Sequence, residues 1–320
     1  MNEGKKENKL SFSGLYRKYG ILIVLVLIFC AAAIASKNFL KPSNLINILK
    51  QITPFGVIAC GSTMLIISGN IDLSAGTSLA LCACTGAKVL QVTGSVFLCF
   101  LTAMALGAII GYINGTLVTR FDLPPFIATL AMMNVCEGVT FITTKSRTIM
   151  GVEKLRWLGQ GTFLGLPNLV ILFAIVLALT HIIMNETQFG LHMYAIGGNS
   201  QASVAAGINV KRKIRMFYVY EGAMVGLAGV VVTSRMLSGQ PTVGPGYEFD
   251  AITATVIGGT SFTGGVGSMF CVIVGSVIIG IINNVMILTG LNSNWQTIVK
   301  GILIALAVII DLKTKVSKRN

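Results

Sequence analysis

The sequence predicts an all-α polytopic membrane protein of about ten transmembrane helices, and three observations carry that reading. Of the 320 residues, 54% are hydrophobic and 11% charged, against about 25% charged in soluble domains. The mean hydropathy of +0.81 comes from repeated apolar runs of about 20 residues, the length that crosses the hydrocarbon of a bilayer. Lipid satisfies no open backbone, so such runs must be helices.

Taken in chain order, the first span covers roughly residues 20–36. It follows a polar lead, residues 1–19, holding Lys5, Lys6, Lys9, Arg17 and Lys18 without a small-residue cleavage pattern, which reads as an uncleaved cytoplasmic tail. The second and third spans, roughly 45–68 and 74–92, are joined by Ser68-Gly69-Asn70-Ile71-Asp72-Leu73-Ser74-Ala75-Gly76. Asp72 or Ser74 is placed there either to cap the next helix or to line a pathway. The fourth span runs roughly over 95–118 and the fifth over 126–144, after Pro124 and Pro125. A sixth, roughly 167–185, follows the outer segment Lys145–Leu166. Beyond the inner segment Glu186–Arg215 come spans at roughly 214–234, 249–267, 268–289 and 296–311, and a basic tail over 312–320. The chain thus divides into tail 1–19, membrane domain 20–311 with the inner loop 186–215, and tail 312–320.

Within the inner loop, residues Gly197 to Ile208 form a polar insert between long apolar segments. The run predicts a helix of about two turns, started by the side chain of Asn199 or Ser200 and stopped by Gly207 in a left-handed conformation. A capped helix of small residues beside Lys211, Arg212, Lys213 and Arg215 suits docking to another protein; it holds no catalytic group.

The formal net charge of +13 does not point to nucleic acid. The basic residues gather in the N-terminal tail, after the polar insert, and at Lys313, Lys315, Lys318 and Arg319. With about ten spans these fall on one side, which the positive-inside rule makes the cytoplasm. Lys37, Lys41, Lys145, Arg147, Lys154 and Arg156 stand on the other side. The seven cysteines all lie in apolar segments and read as small buried hydrophobes. Cys82 and Cys84, two apart, point to different sides of a helix and make a poor metal pair. His181 and His192 have no acidic or thiol neighbour at ligand spacing, and no nucleophile, base and orienter triplet occurs. No Gly-x-x-x-x-Gly-Lys-Ser/Thr phosphate loop occurs either.

Gly111-Tyr112-Ile113-Asn114-Gly115 is echoed by Gly280-Ile281-Ile282-Asn283-Asn284. If spans 2–5 correspond to spans 7–10, the odd offset of five makes an inverted repeat. Asn114, Asn283 and Asn284 in apolar surroundings need partners, whether another helix or a pathway.

Several of these stretches together resemble the ribose-type ABC importer permeases of bacteria. They are Asn70 to Gly76, Leu123-Pro124-Pro125-Phe126-Ile127-Ala128-Thr129-Leu130, Gly239 to Thr242, Gly246 to Ile252, Gly258 to Gly265 and Gly280 to Asn284. The similarity runs in order from about residue 40 to the end. The same superfamily includes xylose, arabinose, galactose and autoinducer-2 permeases and, more distantly, branched-chain amino-acid permeases. The resemblance implies a multi-pass permease of the bacterial plasma (inner) membrane with both termini cytoplasmic. Its partners would be a second permease copy (identical or closely related), a cytoplasmic ABC ATPase and an extracytoplasmic sugar-binding protein. It implies no cofactor on this chain, ATP and Mg belonging to the ATPase, and no enzymatic activity of its own.

The insert lies where that family places its coupling helix, which assigns ATPase coupling to Gly198, Asn199, Ser203, Ala205, Ala206 and Gly207. Ser200-Gln201 replace the family's usual acidic residue after Asn199. For the translocation path the candidates are Asn114, Phe126, Thr129, Thr255, Asn283 and Asn284, small polar and apolar groups suited to weak contacts with a sugar in transit. The alternatives are a non-sugar cargo, such as autoinducer-2, a nucleoside or an amino acid, and an ion-coupled transporter using Glu137 or Glu221.

Overall fold

The computed structural model describes residues 12–316. Residues 1–11 and 317–320 of the two expected tails lie outside the described residues. Apart from one two-residue hairpin, the regular structure is helical. Helix α1 is Phe12–Ala35, α2 Pro42–Ile67, α3 Ala75–Thr93, α4 Val96–Arg120 and α5 Pro125–Thr144. A 3-10 turn (Glu153–Leu155), the one-turn α6 (Arg156–Gly159) and strands β1 (Thr162–Phe163) and β2 (Leu166–Pro167) follow. Then come α7 Asn168–Glu186, α8 Gln188–Gly198, α9 Ser200–Ala205, α10 Val210–Met236, α11 Tyr247–Ile257, α12 Met269–Leu288 and α13 Ser293–Val316.

Seven helices among the described residues are long and apolar enough to cross a bilayer: α2, α3, α4, α5, α7, α10 and α12. Helices α1, α11 and α13 stand at the other three expected places, and α11 corrects the expectation. The eighth span, read as 249–267, is helical only to Ile257. Gly258-Gly259 end it, with Gly259 at φ +108°, and residues 258–268 fold back through Ser261 N–H to Val266 O at 2.9 Å. Helix α11 begins beside Gln51 and Phe55, about 14–20 Å down α2 at 1.5 Å per residue. It is a half-helix reached by a chain that dips into the fold.

Helices α2 and α10 are the most enclosed. They run antiparallel: Ser62 meets Glu221, while Ile71, past the end of α2, meets the earlier residue Tyr218 of α10. The helix contacts repeat in exchanged form. Helix α4 packs on α10 as α12 packs on α2, and α3 on α10 as α11 on α2. Likewise α3 meets α4 and α5 as α11 meets α12 and α13. Exchanging α2–α5 for α10–α13 preserves these pairings, as an inverted repeat of spans 2–5 and 7–10 requires.

Two ends of the bundle follow. At one, α2 stops and α8, α9 and the 258–268 loop gather. At the other, Lys154 Nζ donates to Gly94 O past the end of α3 (2.7 Å), and Gly159 sits on Ser234 near the end of α10.

Candidate functional site

The polar insert folds as its residues dictate. Asn199 takes an extended conformation and its side-chain oxygen accepts from Ala202 N–H at 2.9 Å, so Asn199 rather than Ser200 starts α9. The helix is six residues long, shorter than two full turns. Gly207 adopts φ +82° and closes it with Gly207 N–H to Val204 O (2.9 Å) and Ile208 N–H to Ser203 O (3.0 Å), the bonding of a left-handed stop. Gly198, Asn199, Ala205, Ala206 and Gly207 are exposed. Ser203 is buried and its hydroxyl donates to Asn199 O at 2.9 Å, so it faces the protein.

The root of this helix rests directly on backbone. A Cβ on Gly197 would collide with Ile67 O and approach Gly265 N to 2.7 Å, and Gly265 N–H donates to Ile67 O at 2.8 Å. Gly197, the end of α2 and the loop before α12 therefore share one joint with no side chain as cushion. Asn209 Oδ1 accepts from Arg212 N–H (3.0 Å) to start α10, and Lys211 pairs with Asp122 at 3.0 Å on the surface.

A second cluster lies within the bundle. Asp72 Oδ1 accepts from Ser74 N–H (2.7 Å) and Ser74 Oγ (2.6 Å). Asn114 Nδ2 donates to Asp72 Oδ2 at 3.2 Å and Ser74 Oγ at 2.9 Å. The loop between α2 and α3 is thereby tied to α4, and Tyr218 Oη adds a bond to Ile71 O at 3.0 Å. Ser74 stands at the start of α3 but its side chain does not cap it; Asp72 holds that turn instead. Glu221 is fully buried and takes a hydrogen bond from Ser62 at 2.6 Å.

The structure separates the six path candidates. Asn114 is fully buried in the Asp72 cluster. Thr129 is buried and bonded to Pro125 O in its own helix. Thr255 bonds Ala251 O and lies 3.2 Å from Thr63 Oγ1. Asn284 and Asn44 exchange two side-chain bonds of 2.9 Å. Phe126 is exposed on α5, and Asn283 lines a cavity of about 160 Å³.

That cavity lies at the end remote from α9. Gln51 and Phe55 of α2, Arg235 of α10, Tyr247 and Asp250 of α11 and Gln296 of α13 share its wall with Asn283. Behind it, Lys300 Nζ sits 2.9 Å from both carboxylate oxygens of Asp250, with side-chain exposures of 22% and 10%. Sequence reasoning missed this pair. Its signal was present, because Asp250 and Lys300 are isolated opposite charges in two apolar runs, and such charges find each other in membranes. Glu137 lines a separate pocket of about 240 Å³ with Thr77, Phe141 and Thr242. Among the described residues no three His, Cys, Asp or Glu side chains cluster as a metal site.

The family described as "Branched-chain amino acid transport system / permease component" matches residues 44–308. The ribose import permease protein RbsC of Bacillus subtilis (strain 168) is 39% identical over 311 residues, covering 96% of this chain and 97% of the relative. RbsC of Escherichia coli (strain K12) is 37% identical over 297 residues, 91% of this chain and 92% of the relative. The L-arabinose transport system permease protein AraH of Escherichia coli (strain K12) is 33% identical over 319 residues, 99% and 97% of the two chains. No solved structure matches. A family match that begins in α2 and ends within α13, on a bundle with seven bilayer-length apolar helices, makes this chain a multi-pass bacterial inner-membrane protein that belongs to the branched-chain amino acid transport system permease component family.

Proposed function

We propose that the chain is the membrane-spanning subunit of an ATP-driven ABC importer that moves a monosaccharide, a pentose such as ribose or a related sugar. The observation that carries this is the 39% identity to a ribose import permease across 96% of the chain. The exposed, capped α9 supports it. In this reading a cytoplasmic ATPase grips α9 and its two exposed ends, through Gly198 and Asn199 before it and Ala205, Ala206 and Gly207 at its close, while Ser203 holds the helix together from inside. ATP-driven closure of the ATPase moves α9, and the joint of Gly197, Ile67 and Gly265 passes the movement to α2 and α12. An extracytoplasmic binding protein delivers sugar at the opposite end, and two permease copies rock to open a path to each face in turn. Asn283 and Phe126 are assigned to the path. Asn114, Thr255 and Asn284 hold the helices that move around it, and Thr129 is packed on the buried side of α5. Both termini and α9 lie on the cytoplasmic side, where the basic cluster at Lys211–Arg215 meets anionic lipid.

The test is reconstitution in proteoliposomes with the partner ATPase and binding protein. Labelled ribose, arabinose and leucine are supplied with and without ATP. ATP-dependent pentose accumulation is the expected result. Leucine uptake in place of sugar, or uptake driven by an ion gradient without the ATPase, overturns the reading.

A further inference from the structure

We infer that the 160 Å³ cavity bounded by α2, α10, α11, α12 and α13 is a binding subsite for a neutral polyhydroxylated ring, one monosaccharide unit in transit. The inference rests on the proposed sugar transport and names where, within one copy of the chain, the cargo is held.

The lining decides the chemical class. Gln51, Asn283 and Gln296 bring amides, Arg235 a guanidinium, Tyr247 a phenol and Asp250 a carboxylate. Amides both donate and accept, as sugar hydroxyls do. The charges do not make this a cation site: Lys300 lies 2.9 Å from Asp250, so the carboxylate is already neutralised from behind. The same pairing argues against a free amino acid, whose ammonium would need an unpaired carboxylate opposite Arg235. Arg235 in turn has Tyr247 as its neighbour.

Two further observations point to an occupant. Asn283 Oδ1 is buried and has no hydrogen-bond partner among the described residues, while the same side chain is a hydrogen-bonding neighbour of Asp250. A buried acceptor without a donor is costly, and a small turn of the Asn283 side chain into the cavity would give it a hydroxyl or water donor. Phe55 and Tyr247 add aromatic surface to a wall that also holds Gly280 and Ile287 beside its polar groups, and rings of this kind offer a flat apolar body to the C–H face of a sugar. The volume holds about five waters at about 30 Å³ each, the scale of a single sugar ring.

The position suits a waiting site. Arg235 and Ile287 lie in the last turns of α10 and α12, and Gln296 in the first turn of α13, so the cavity is at the end opposite α9. Its walls include α2 and α12, the two helices joined to α9 through Gly197, Ile67 and the loop before α12. Movement of α9 therefore reaches two walls of the cavity, which couples release of the ring to the ATPase.

The test labels the mouth. Ile287 lines the cavity and is half exposed, and Ile287→Cys gives a thiol there in the permease–ATPase complex held in nanodiscs. The same complex without the substitution corrects for the native cysteines. Ribose at millimolar concentration is expected to slow modification of that thiol about tenfold, alanine to leave it unchanged, and added Asn283→Leu to abolish the protection. No protection by ribose, or equal protection by alanine, overturns the inference, and so does protection that survives both Asn283→Leu and Gln51→Leu. If Asn283→Leu fails to assemble, Gln51→Leu alone decides. Pentose uptake by the unsubstituted complex is measured in parallel. Uptake without protection fails the subsite alone; protection without uptake fails the transport assignment alone.

Discussion

Gly107 of α4 and Gly222 of α10 meet with no side chain between them: a methyl group on either would run into the other's carbonyl oxygen. One turn away Gly111 faces the carbonyl of Tyr218, and Gly226 that of Ala103. Lipid tails are as apolar as leucine, so close backbone contact holds two membrane helices where hydrophobic expulsion does not. Gly222→Val is expected to destabilise by about 1–3 kcal/mol, the usual cost of overpacking. Gly138→Ala on α5, with nothing within 4 Å of its added carbon, is expected to be silent. Thermal unfolding of both in one detergent measures the contrast, and equal midpoints contradict it.

The pair Asp250–Lys300 makes a sign-specific prediction. Lys300→Met leaves a carboxylate that is 10% exposed without its counter-charge, a loss of about 3–5 kcal/mol for a buried pair. The double change Asp250→Asn with Lys300→Met removes both charges and is expected to recover most of the loss. A double-mutant cycle on unfolding reads the coupling. Additive single effects would show that the two side chains do not support each other.

Asn114 and Thr129 were equal path candidates by sequence, and the structure makes them unequal. Asn114 binds Asp72 and Ser74 across a gap of about 40 residues, whereas Thr129 bonds only within its own helix. Asn114→Leu strands Asp72 Oδ2 and is expected to cost about 1–3 kcal/mol. Thr129→Val gives up a bond of the kind that adds little to a helix, and is expected to cost under about 1 kcal/mol. Unfolding midpoints check this. An Asn114→Leu protein of normal stability that fails in transport would place Asn114 on the path instead.

These cases show what the sequence carried. Asn199 and Gly207 act within α9, among their near neighbours, so local capping rules found both ends of that helix. The apolar runs found the long helices because lipid allows little else. The half-helix α11 escaped, since hydropathy continues through Val256 and Ile257 into a glycine-rich stretch and cannot say where backbone turns back. Asn114–Asp72, Asn44–Asn284 and Asp250–Lys300 escaped for another reason. Each joins residues far apart in the chain, and a single sequence shows only that every one of them needs some partner.

Orientation follows from a thiol placed on α9. Ser203 is unsuited because it is buried, whereas Val204 beside it is 60% exposed. In intact cells Val204→Cys is expected to resist an impermeant thiol reagent and to react once the membrane is opened. Labelling from outside would reverse the proposed sidedness of α9 and with it the assignment of an ATPase to that face.

Gly197 and Gly198 are adjacent, yet they predict opposite results. A Cβ at Gly197 would collide with Ile67 O at the joint below α9, while one at Gly198 meets nothing within 4 Å. Gly197→Ala must shift α9 relative to α2, so ATP-driven uptake is expected to fall about tenfold, within the range of ordinary coupling energies. The purified complex should still contain the ATPase, because the exposed face of α9 is unchanged. Gly198→Ala leaves the joint untouched, so any loss it causes should appear in ATPase assembly and not in uptake by the assembled complex. Ala206→Glu and Gly207→Arg change the exposed face itself, the latter also at φ +82°, and are expected to weaken ATPase assembly as well as uptake. Assembly by size exclusion and uptake in proteoliposomes separate the two effects. If Gly197→Ala transports like the unsubstituted chain, movement of α9 does not reach α2 through this joint.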